Sequence, residues 1–191
     1  MSKIIKIIIL ISFLLLSFNS NAHVQHYKDL NRIEFDIYRN GKHIGKHIFA
    51  FKNSNNLLTV ESDVYFEIKK LGMVFYKYHV QGTEIYGDGK LIKFNSKTDQ
   101  NGEQKYVNIS LDNDELVIDG SSYKGKVTTD YMLGTWWNHA IVKANTQISA
   151  VSGRIINQKV TFLGKETIIS GDKTYEALHF NFSSTDKNLK K

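Results

Sequence analysis

Two residue types are missing from this chain of 191 residues: cysteine and proline. Without cysteine there is no disulfide, no thiolate nucleophile and no thiol to carry a lipid anchor after a signal sequence. Without proline there is no polyproline recognition segment and no proline-set turn, so chain reversals fall to Gly, Asn and Asp. No basic stripe or nucleic-acid motif is visible; the only concentrated positive charge is the terminal KNLKK. That argues against a nucleic-acid partner and leaves room for weak attraction to anionic headgroups.

Long apolar runs are scarce, and the one present is N-terminal. In MSKIIKIIILISFLLLSFNSNAH, Lys3 and Lys6 precede an apolar run from Ile7 to Phe18. Small residues then stand at Ser20 and Ala22. The pattern reads as a secretory signal peptide cut after Ala22, residues 1–22, with an uncleaved anchor as the alternative. The run falls short of the roughly 20 residues a membrane span needs. Residues 23–191 then form a single β-rich domain, and losing Lys3 and Lys6 lowers the formal net charge from +6 to +4. Export without disulfides points to a bacterial protein, soluble, periplasmic or secreted, with no transmembrane span after cleavage.

What remains is a succession of strands. RIEFDIYR alternates, and Asn40-Gly41 behind it is a strong hairpin signal, since both residues tolerate positive φ. In LLTVESDVYFEI, Leu58, Val60, Val64, Phe66 and Ile68 share a face broken only by Ser62. MVFYKYHVQGTEIY puts Tyr76, Tyr78, Val80 and Tyr86 on one face, Phe75 and His79 on the other. GDG and DQNGE mark further turns. The rhythm breaks at TTDYMLGTWWNHAIVKANTQ, where Thr129 or Asp130 is placed to cap a short helix near 130–142. Strands resume at GRIINQKVTFLG. The expectation is an all-β, mainly antiparallel fold: a curled meander sheet, barrel-like or an open barrel.

Motif chemistry is thin. No GxSxG is present, and Ser152-Gly153 and Ser170-Gly171 read as turn residues. Glu84 and Asp99 are the candidate carboxylate pair for a hydrolase, against the plainer reading that Glu84 faces a lysine and Asp99 closes a turn. His43 and His47 would share a metal on a helix, but on a strand they are too far apart. His23 at a cleaved N-terminus, helped by His26, is a weak candidate for copper. No cofactor is implied.

Aromatics make up 12% of the chain. Tyr76, Tyr78, His79, Glu84, Trp136, Trp137 and Asn138 are the candidate ligand-binding residues. Met132, Leu133, Trp136 and Trp137 form either a lid over an apolar groove or an ordinary core plug. A lipid or other apolar small molecule is the leading partner, and an envelope protein the alternative.

The order YRNGKHIGKHIFAF, YHVQGTEIYGDGKLIKFNSKTDQNGE, a Trp-Asn beside a helix, and VSGRI followed by LGKE resembles an uncharacterised family of exported bacterial proteins. EIYGDGKL and TDQNG are the most specific pieces, and the similarity covers most of residues 23–191. The resemblance implies export and a β-rich fold, but no activity. Such proteins continue into a further strand pair with a Trp-Tyr-Asp-like element, whereas this chain stops at STDKNLKK. The resemblance therefore implies a shortened member or missing closing strands.

Overall fold

The computed structural model describes residue 27 and residues 29–186. Eight strands follow one another: β1 Arg32–Arg39, β2 Lys42–Ser54, β3 Leu57–Lys70, β4 Met73–Gly87, β5 Lys90–Gln100, β6 Glu103–Asp112, β7 Glu115–Gly120 and β8 Lys124–Thr128. They form one antiparallel sheet in chain order, each strand bonded only to its sequence neighbours. A second sheet has the order β12-β11-β10-β9, from β9 Met132–Leu133, β10 Thr146–Ile148, β11 Ile155–Ser170 and β12 Lys173–Ser184. Its β9–β10 pair is parallel. The large sheet curls but does not close, so the open form of the expected barrel is the one found.

Asn and Gly make most of the turns. Asn40-Gly41, Asn55-Asn56, Asp88-Gly89 and Asn101-Gly102 all take left-handed φ, as two-residue hairpins require. Register shifts between Ile37 and Tyr38, Ile68 and Lys69, and Ile85 and Tyr86 add the twist that bends the sheet.

Alternation then sorts the faces. On the concave side the register aligns Phe51, Val60, Glu84, Phe94, Ile109 and Ile118 in one row across six strands. The next row is smaller: Phe49, Ser62, Gly82, Ser96 and Val107. A third holds His47, Val64, Val80 and Thr98. Residues 129–152 cross this concave face and pack onto it. One core cluster gathers Phe49, Phe51, Leu58, Val60 and Tyr86 around Trp137. The other packs Leu133 and Ile148 onto Phe94, Val107, Ile109, Leu116 and Ile118.

The crossing segment contains no α-helix. The helix expected near 130–142 is a single 3-10 turn, His139–Lys143, capped by the Asn138 side chain rather than by Thr129 or Asp130. Met132–Leu133 pairs as a strand, because Gln147 and Ile148 offer a free edge beside it. Polar bonds pin the segment to the large sheet and its β7–β8 turn: Ser96 donates to the Ala150 carbonyl at 2.6 Å, and Ser122 N donates to the Ser152 carbonyl at 2.8 Å. The segment's backbone closely approaches the sheet at Gly120, where an added Cβ would lie 2.7 Å from Ser152 O and 3.0 Å from Gly153 Cα. Gly120→Ala should therefore cost about 1–3 kcal/mol in urea denaturation, because neither backbone has room to retreat.

Candidate functional site

Glu84 stands in the middle of an apolar row and has no exposed surface. Its parity on β4 matches Tyr78, Val80 and Tyr86, so the alternation that builds the sheet aims the carboxylate inward. The lysine expected opposite it is not there, since its neighbours across the sheet are Val60 and Phe94. Two donors meet it instead. Trp137 Nε1 donates to Oε1 at 2.8 Å, and the Tyr86 hydroxyl donates to Oε2 at 2.6 Å. Thr135 adds a hydroxyl beside the same group.

Burial outweighs these donors, and the Glu84 carboxyl is pushed up from 4.5 to about 7. The charged carboxylate raises the Tyr86 phenol in turn, on top of the larger effect of burial. Trp137 is buried and ringed edge-on by Tyr27, Phe51 and Tyr86, with centroids 4.9, 5.4 and 5.6 Å away. It plugs this part of the concave face. Of the two readings of the Trp pair, Trp137 fits the plug.

Trp136 does not. It is 54% exposed, takes φ of +73°, and turns its ring edge onto Phe182 of β12 at 5.1 Å. Beneath it lies a cavity of about 240 Å³ lined by His47, Val64, Tyr78, Val80, Thr135 and Val151, among others. Its lining is largely apolar. Burial lowers the His47 imidazole and raises the Tyr78 phenol, so both rings are held neutral. From Tyr78 an aromatic ladder runs outward through Phe66 and Tyr76, with ring centroids 5.0 and 6.0 Å apart. The cavity thus lies between the sheet and the crossing segment, which contributes Gly134, Thr135, Trp136, Ala150 and Val151 to its wall.

The other expected residues go elsewhere. Asp99 faces outward at the far end of β5 and accepts from Gly102 N at 2.8 Å, which makes it the turn residue of the plainer reading. Glu84 pairs with Phe94 and His79 with Asp99, so the register separates the two carboxylates and puts them on opposite faces. His79 faces outward too, bonded to Asp63 at 3.0 Å, not into the cavity. Asn138 is buried and spends its side chain on the 3-10 cap. His43 and His47 part company because the ladder skips Ile44, leaving His43 on the outer face with Asp36. No group of three His, Asp or Glu side chains among the described residues is placed to hold a metal, and His23 and His26 lie outside those residues. The missed members include His47, Val64, Val80, Thr135 and Val151. The first three carried a signal, their inward parity on β2, β3 and β4.

A wider depression of about 700 Å³ runs over the outer face, past Arg32, Glu61, Asp63, Asn95, Lys97 and Asn108. Asn95 there already donates to Asn108, and Asp63 is bonded to His79. Its charges are of both signs and do not converge.

The buried carboxyl has a measurable signature. Because its folded value lies above its unfolded one, the native state binds the extra proton between about pH 4.5 and 7. Stability is then full below that window and falls through it, by roughly 3 kcal/mol in total. Glu84→Gln keeps an amide oxygen to accept from Trp137, turns an NH2 towards the Tyr86 hydroxyl, whose oxygen can accept from it, and cannot ionise. Urea melts from pH 4 to 8 should show the wild-type midpoint falling across the window, and the variant flat relative to it.

No curated protein and no solved structure matches this chain. The family model of a domain of unknown function, DUF6134, matches residues 35–191, which takes in every strand from most of β1 to β12. The resemblance read from EIYGDGKL and TDQNG thus has its counterpart, and the chain belongs to the DUF6134 family.

Proposed function

We propose that this protein is exported to the periplasm or beyond and binds a lipid or other apolar molecule on the concave side of its sheet, without catalysis. One observation carries the reading: between the crossing segment and the concave face an apolar cavity is left under Trp136, with Thr135 and Val151 on one side and Val64, Tyr78 and Val80 on the other. At about 240 Å³ the cavity is smaller than the roughly 300–1,000 Å³ of a typical ligand pocket. A single chain-like group would enter it, and the rest of the molecule would lie along Tyr78, Phe66 and Tyr76. Neutral His47 and Tyr78 offer a polar atom each without a charge to desolvate. The N-terminal apolar run supports export, and it lies outside the described residues.

A second reading, assembly through protein contacts in the envelope, draws on the β11–β12 hairpin. It projects with Phe162, Leu163, Ile169 and Leu178 more than half exposed. Hydrolysis by Glu84 with Asp99 finds no support, since the two never share a cleft.

Protein purified without detergent should yield a stoichiometric apolar molecule on solvent extraction and mass spectrometry. It should also take up N-phenyl-1-naphthylamine with a rise in fluorescence. Trp136→Ala and the cavity-filling Val151→Phe should each lower dye affinity about tenfold while preserving the fold. An empty, well-folded protein that ignores the dye would transfer the weight to the protein-contact reading.

A further inference from the structure

Eight non-glycine residues among those described adopt left-handed φ, and six of them are Asn or Asp. Those two types tolerate the conformation because their short side chains bond the local backbone. The exceptions are Trp136, at the cavity mouth, and Leu71. Leu71 sits at the tip of the β3–β4 hairpin with φ of +51° and is 90% exposed, the most exposed of the large apolar side chains among the described residues. A turn built for stability alone would carry Asn there, as the turn after β1 does with Asn40-Gly41. Strain and exposure both oppose Leu71, and folding accounts for neither.

Its surroundings extend the pattern. Met73, Val74 and Phe75 follow at 70, 50 and 74% exposure. Phe75 is the extra residue of the register shift opposite Ile68 and Lys69, so the bulge adds one more apolar side chain to the tip. Behind the apolar tip stands a basic collar: Lys69, Lys70 and Lys77 against a single carboxylate, Glu67. Lys69 pairs with that carboxylate at 3.0 Å, and Lys77 lies over the Tyr65 ring. The other protruding hairpin differs. Along β11–β12 Lys165 and Lys173 alternate with Glu166 and Glu176, and Lys165 is paired with Glu176, so no sign of charge prevails.

The geometry points to the β3–β4 tip as a docking element for an anionic lipid surface, with Leu71, Met73, Val74 and Phe75 entering the interface and Lys69, Lys70 and Lys77 meeting the headgroups. Apolar side chains with lysines set just behind them match the layering of a bilayer surface, where acyl chains lie under anionic groups. The lysine stems run alongside the apolar tip while their ammonium groups stay in the headgroup layer. The inference stands apart from the proposed cargo site, although the aromatic ladder of Phe66, Tyr76 and Tyr78 joins the tip to the cavity along one sheet face.

The test is flotation of the full chain, with its own N-terminus, on phosphatidylcholine vesicles with and without phosphatidylglycerol. Wild type should float with the anionic vesicles and less so as salt is raised. Leu71→Asn combined with Phe75→Ser should lower partitioning at least about tenfold, while Leu71→Asn alone keeps or raises Tm because it relieves the turn. Lys69→Gln with Lys70→Gln should erase the preference for phosphatidylglycerol. Ile169→Ser with Leu178→Ser, on the other hairpin, should float like wild type, and Trp136→Ala should lose dye but still float. Equal flotation of wild type and the Leu71 variants would overturn the proposal. So would tip-dependent self-association without vesicle binding, which would make the tip a contact between copies of the chain.

Discussion

A carboxylate in an apolar row is held only by the few donors that reach it. Glu84 is buried among Val60 and Phe94, and its partners are Tyr86 on its own strand and Trp137 on the crossing segment. The Trp137 bond is the buried one among the contacts that hold that segment on the sheet, with the Ser96–Ala150 and Ser122–Ser152 bonds beside it. From there Leu133 and Ile148 reach one core cluster, while Trp137 completes the other. A buried charge is costly unless it is bonded, so the same interaction that fixes the fold also makes it fragile to loss of either partner.

That clamp also decides where space remains. Anchoring Trp137 against Tyr86 sets how the crossing segment lies over the concave face. Trp136, its neighbour, is turned the other way by a left-handed backbone and ends over the cavity. One dipeptide thus supplies a core residue and a mouth residue. The small side chains of Ser62, Gly82 and Ser96 let the segment approach closely without filling the rows beyond.

The strands of the meander were legible because alternation and Asn-Gly turns act locally. Leu58 to Ile68 share a face as read, and Asn40-Gly41, Asp88-Gly89 and Asn101-Gly102 turn as read. Less legible were features that depend on distant pairing. Nothing near Met132 announces a parallel partner at Gln147. The skipped Ile44 separates His43 from His47, and no local pattern marks it. For the site, the inward parity of Glu84 and Tyr78 was readable. The division of labour between Trp136 and Trp137 was not, since identical side chains one residue apart differ only in backbone φ. The strand opposite the cavity was identifiable; the residues above it, Thr135 and Val151, were not, because they arrive from a segment without periodicity.

The nearest-neighbour order of the large sheet carries a consequence for how the chain reaches this state. Each of its pairings closes a short loop, which costs little entropy and favours rapid local formation. The bond from Trp137 to Glu84 spans 53 residues and closes a far longer loop. A sheet without residues 129–152 on it would present a bare, greasy hollow, the kind of surface on which one copy sticks to another. The crossing segment therefore does for the hollow what a partner protein would otherwise do: it keeps apolar surface out of reach of other chains.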